Sequence, residues 1–302
     1  PTAVCRSYRI FYTHDDLLHL PERDHHTRYG PMLRTITSVF LITVLSNGAI
    51  AVTDDDHVSE SSGAESSDGP NGIKTLGGLQ FWGDLKFFHG WRIQQNVLTR
   101  HHRLLDPHNN RHCSGSADDC EARLREITAK QQLPAMSGKA VLLIHGIGRS
   151  SKSFAAMGRT LQEDGYTVIS FDYPSTRVPI QQSAEYLHRV IETLDGVESI
   201  DIVVHSMGGL VLRSYLQKHT DTRLHRAVML GVPNNGAQLA DFLKNNPLFR
   251  MILGRAGQQL VTESGGLIGS LPVPGFEFGV LAGGRGETKG YNPLLPGDND
   301  ST

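Results

Sequence analysis

The chain has 302 residues, 38% of them hydrophobic and 20% charged, with 29 basic against 31 acidic side chains and a formal net charge of −2. That is enough apolar material for one large domain or two small ones. Without a dense basic stripe it excludes a protein held to nucleic acid or to an anionic membrane surface by charge.

Residues 1–31 show no helical or strand period and are left outside the fold as upstream sequence foreign to the protein. From Met32 the sequence reads "MLRTITSVFLITVLSNGAIAV", with one basic residue at Arg34, an apolar run from Ile36 to Leu45, and an A-x-A pattern at Ala49–Ala51. That is the layout of a signal peptide over 32–51, and it predicts export to a periplasm or the exterior. The run is too short for a comfortable membrane span, so no stable span is expected after cleavage. Residues 52–74 are acidic and Ser/Gly-rich with almost no large apolar groups. They read as a disordered linker, because they cannot bury enough surface to offset the entropy of ordering.

Residues 75–137 read as an extension made of a hairpin around Trp91, Ile93, Val97 and Leu104, then a helix opened by Ser116 with Asp119 three residues on. Cys113 and Cys120 fall here, seven positions apart. An oxidising compartment would let them pair, adding roughly 2–3 kcal/mol in the chain-entropy model; two free thiols are the alternative. His101, His102, His108 and His112 are dense but lack a zinc spacing, so they read as solvated side chains and no metal is expected.

From residue 138 to 302 the pattern changes. "KAVLLIHGIG", "YTVISFDYP", "IDIVVHSMGG", "RAVMLGVP" and "FEFGVLAGG" are short Val/Ile/Leu runs that end in Gly, Pro or polar residues, with helical stretches at 153–163, 180–194 and 207–218 between the first four. Continuous apolar strands alternating with helices predict an α/β fold with a parallel-rich sheet covered on both faces. Ligand chemistry in such sheets sits at the carboxyl ends of the strands. The stretch 234–274 reads equally as a lid over that site or as plain packing.

Two strand ends carry the chemistry. In "IDIVVHSMGGLV" a strand runs straight into Ser206 and then a helix, a turn that lifts a hydroxyl out of the sheet beside backbone N–H groups. An ordinary N-capping serine is the bland reading. In "VLLIHGIGRSSKSF" the loop after His145 brings the Ile147 amide toward the same place, so that Ile147 and Met207 together offer an oxyanion hole. His145 reads as a loop-bracing hydrogen bonder and His205 as structural.

"HGIG", "HSMGG" and "GVPNNGA", in that order, resemble the small bacterial lipases and esterases of the α/β-hydrolase superfamily over residues 138–302. Val204 departs from the glycine usual at the start of the G-x-S-x-G elbow. The resemblance implies Ser206 as nucleophile, a small-molecule or lipid ester as substrate, no cofactor, and triad members in the order Ser, acid, His. After the fifth run come Asp298 and Asp300; likeness to an N-D-G acid loop favours Asp300, with Asp298 the second candidate and a polar turn the bland reading. No histidine follows Asp300 in the sequence. The expectation is therefore a fragment that stops before the last strand and helix of the fold, with its histidine further on and with little activity of its own. An acyltransferase or thioesterase of the same fold, or a non-catalytic binding protein, remain as alternatives, and the oligomeric state stays open.

Overall fold

A computed structural model describes residues 8–12, 79–234, 259 and 267–283. The signal-like segment 32–51, the linker 52–74, Asp298 and Asp300 all lie outside them. Three strands, β6 (Gly138–Ile144), β7 (Thr167–Phe171) and β8 (Val197–His205), join β9 (Leu224–Leu230) and β10 (Glu277–Gly283) in one parallel sheet of order β10-β9-β8-β6-β7. The fold is α/β, and these are the five apolar runs read in the sequence. Their apolar continuity follows from burial on both sides: every residue from Ala140 to Ile144 and from Ile200 to Val204 is buried.

Helices α2 (Ala155–Glu163), α3 (Ile180–Glu192) and α4 (Met207–Leu216) fill the connections. α3 shows why they form: Ile180, Ser183, Ala184, Leu187, Val190 and Ile191 recur at helical spacing and are buried. A short helix α5 (Leu267–Ser270) sets Ile268 and Leu271 into the core, held by Arg213 of α4, whose guanidinium donates to the carbonyls of Ile268, Leu271, Pro272 and Asn234. This end of the candidate lid is therefore packed; residues 235–258 and 260–266 are not among those described.

The strand β1 (Tyr8–Tyr12) pairs antiparallel with β10, from Tyr8 opposite Gly283 to Tyr12 opposite Gly279. It comes from the stretch that the sequence reading leaves outside the fold.

Residues 79–115 form more than a hairpin. β2 (Trp82–Phe88), β3 (Trp91–Asn96), β4 (His102–Leu105) and β5 (Arg111–Gly115) make a four-stranded antiparallel sheet. β4 and β5 escape a hydrophobic-pattern reading because His102 and Arg103 are half-buried and Arg111, His112 and Ser114 exposed, which leaves no apolar alternation. α1 (Ala117–Lys130) follows, with a capping box in which Ser116 Oγ accepts from the Asp119 amide and the Asp119 carboxylate accepts from the Ser116 amide. Trp91, Ile93 and Leu104 pack on Cys120, Leu124 and Ile127 of this helix. The alternation in β3 then turns Arg92 and Gln94 to the opposite face, which meets the carboxyl end of β7.

Candidate active site

β8 is the central strand of the parallel sheet, and Ser206 is the residue between it and α4. Its backbone sits at φ 51, ψ −126. A non-glycine residue there is strained, and such strain persists only where the surroundings over-determine it. They do so here. The Ser206 amide donates to Leu230 O at 2.9 Å, and Ser206 O accepts from the Gly209 amide at 3.0 Å.

The turn closes because residue 208 has no side chain. A Cβ there would lie 2.5 Å from Ile144 O and 2.8 Å from His145 O. Val204, where the resembled pattern has glycine, is fully buried in the core. Ser206 is partly exposed while Met207 is buried, and the serine sits at the amino end of α4.

The second strand end meets the first. A Cβ on Gly146 would come within 3.1 Å of Ser206 Cβ and 3.0 Å of His205 Nδ1, so the loop that carries Ile147 lies directly against the serine. Two of its amides are committed: Gly148 N donates to Ser175 Oγ at 3.0 Å and Arg149 N to Gly146 O at 3.3 Å. The Ile147 side chain packs on the core.

His145 is buried in this loop, 1% exposed, with its ring stacked on Tyr173 at 4.3 Å and Tyr173 Oη donating to His145 O at 2.6 Å. Its Nδ1 faces Gly146 O at 2.8 Å, which requires the proton on Nδ1. Burial lowers the affinity of the ring for a second proton, against the pull of Asp172. A ring held in this way braces the loop. His205 is exposed at the turn.

The two histidines after Ser206 lie elsewhere in the fold. His225 lies at the start of β9, opposite the sheet end that bears the serine, and contacts Asp201 at 3.2 Å. His219 follows α4, stacked on His188 at 3.7 Å and 3.4 Å from Glu185. Cys113 and Cys120 are brought together as thiols, with Cys120 Sγ donating to Cys113 Sγ at 2.9 Å. Burial and the neighbouring sulfur push the Cys120 thiol up to about 12.

One cluster was missed from the sequence. Asp172, the first residue after β7, accepts from Arg92 Nη1 at 2.6 Å, from Ser151 N at 2.7 Å and from Ser151 Oγ at 2.8 Å. Asp84 and Asp172 also exchange bonds, Asp84 N donating to Asp172 O at 2.9 Å and Asp172 N to Asp84 Oδ2 at 2.7 Å. Asp84, Arg92 and Asp172 are 2, 8 and 3% exposed. The available signal was an aspartate at a carboxyl strand end and charged residues at inward positions of β2 and β3. A cavity of about 590 Å³ lies apart from the serine, between the antiparallel sheet and α3, lined among others by Leu85, Arg100, Tyr186 and Arg189.

A parallel α/β sheet with a serine at a strained turn after its central strand, faced by the loop of a neighbouring strand, is the arrangement of the α/β-hydrolase fold. A protein-family model described as a domain of unknown function (DUF7379) matches residues 114–268, and the chain belongs to that family. No curated protein matches the chain. Among solved structures, a Bacillus licheniformis lipase in mature form is 25% identical over 43% of this chain and 56% of its own, with a TM-score of 0.33. The phospholipase PlaB from Legionella pneumophila is 19% identical over 42% of this chain and 33% of that one, with a TM-score of 0.36. An extracellular α/β-hydrolase from a Paenibacillus species is 22% identical over 38% of this chain and 58% of that one, with a TM-score of 0.30. The chain thus spans about half of the lipase and a third of the phospholipase.

Proposed function

We propose that this chain is the core of an exported serine hydrolase that cleaves carboxylic esters. The observation that carries this reading is Ser206 at φ 51 between β8 and α4, with Gly146 packed against it. In this mechanism Ser206 Oγ attacks the acyl carbonyl, and the amides of Ile147 and Met207 stabilise the oxyanion that forms. The proton goes to a histidine that follows the acid in chain order, and Asp300, with Asp298 as second candidate, holds that histidine's tautomer. The alcohol leaves, and water then releases the acid from the acyl-serine by the same machinery. Small esters and lipid esters both fit this chemistry. Export is part of the reading and rests on the segment 32–51.

A fluorophosphonate probe tests the nucleophile in the full-length protein. Labelling should occur and should vanish in Ser206→Ala; labelling that persists in that variant overturns the assignment. Amino-terminal sequencing of the protein from its own cell tests export, with Val52 expected as the first residue; residues 1–31 found still attached would refute it.

A further inference from the structure

The loop that faces Ser206 is held by another part of the chain. Gln80, just before β2, reaches it directly: Gln80 Nε2 donates to Arg149 O at 2.8 Å, while Gln80 Oε1 accepts from Ser175 Oγ at 2.7 Å and from Thr176. Ser175 Oγ in turn accepts the Gly148 amide. Arg92 of β3 reaches the loop through one carboxylate. Asp172 holds Arg92 on one side and both the amide and hydroxyl of Ser151 on the other, with His145 Nε2 3.8 Å away. Ser151 ends the loop and His145 begins it.

Arg92 is itself fixed from three sides, by Asp172, by Asp84 at 3.6 Å and by the Asn109 side chain. Asp84 is held by Gln94 Nε2 at 2.7 Å, and Gln94 Oε1 receives both Nε and Nη2 of Arg103. This is a closed polar network in a buried place, where each missing partner would strand a desolvated charge. Such a network is poor value as general stabilisation, since buried ion pairs are often replaceable by apolar packing. It is well suited to fixing one geometry.

We infer that Gln80 and Arg92 are positioning residues for the oxyanion hole: the antiparallel sheet holds the 145–151 loop so that the Ile147 amide meets the carbonyl oxygen of an ester bound at Ser206. The inference rests on the ester-hydrolase reading of Ser206. A donor displaced by about 1 Å loses transition-state stabilisation while leaving substrate binding largely intact, so the effect falls on kcat rather than on KM.

The test compares the full-length wild-type protein with Arg92→Met, Arg92→Lys, Gln80→Leu and Ser206→Ala. Two readouts are taken: kcat and KM on a short-chain p-nitrophenyl ester, and hydrogen exchange of the 146–151 amides against those of 202–204 in β8. Arg92→Met and Gln80→Leu should each lower kcat by roughly tenfold to a hundredfold with KM within about twofold. Exchange at 146–151 should rise while 202–204 stay protected, and Arg92→Lys should recover part of both. Unchanged exchange at 146–151 in folded Gln80→Leu and Arg92→Met overturns the inference, as does a KM effect without a kcat effect. If Arg92→Met fails to fold, Gln80→Leu decides the matter. If wild-type turnover equals that of Ser206→Ala, the hydrolase reading falls, and the exchange data alone still decide whether the loop is held from the sheet.

Discussion

At the scale of single residues, Gly208 determines whether the serine turn can form. An added Cβ would press on Ile144 O at 2.5 Å, a backbone atom in a buried strand that cannot yield as a flexible side chain would. Gly208→Ala should therefore lower stability by about 1–3 kcal/mol in urea denaturation, with slower fluorophosphonate labelling of Ser206. Asp84 offers a different readout. Burial, and then the Asp172 carboxylate, push its carboxyl up to about 6 from an ordinary 3.8, against the pull of Arg92. The folded state thus binds this proton more tightly than the unfolded chain, and the contribution of Asp84 to stability falls as pH rises from about 4 to about 6. In Asp84→Asn that fall is removed. The difference in melting temperature, variant minus wild type, should grow more positive across this window and level off above it; a flat difference would contradict the assignment. The position of Ser206 at a turn between strand and helix was legible because a turn after an apolar strand has few sequence solutions. Arg92 and Asp84 were not, because partners 80 and 88 positions away in sequence leave no local pattern.

At the scale of elements, the five parallel strands were readable because burial on both faces makes them apolar throughout, and the capping box of α1 was readable because its two partners are three residues apart. The four-stranded sheet was read as a hairpin, since its polar face satisfies itself through side chains rather than through apolar alternation. The cysteine pair joins β5 of that sheet to α1. With the sulfurs already 2.9 Å apart, oxidation needs little backbone movement. We propose the disulfide as the form of the exported protein. Oxidised protein should show no free thiol at these positions in a thiol titration under denaturing conditions, and a reductant should lower its stability by roughly 2–3 kcal/mol. Equal stability with and without reductant would mean the thiols act only as packing.

At the scale of the whole molecule, β10 has one edge beyond β9, and β1 occupies it. Cleavage after Ala51 would remove Tyr8–Tyr12 and return that edge to solvent or to another strand. Protein beginning at Val52 should thus exchange its 279–283 amides faster than protein retaining residues 1–12; equal protection would show that a different segment takes the position. The serine and its loop stand on the other side of β9 from this edge. The antiparallel sheet is another matter. The family match opens at Ser114, downstream of Gln80, Asp84 and Arg92. An expression clone trimmed to that boundary would carry the serine, the glycine-rich loop and Asp172, and would leave the Asp172 carboxylate without Arg92, its cation, and without the Asp84 contacts that cover it. The smallest unit that similarity recognises is thus smaller than the smallest unit that charge balance permits.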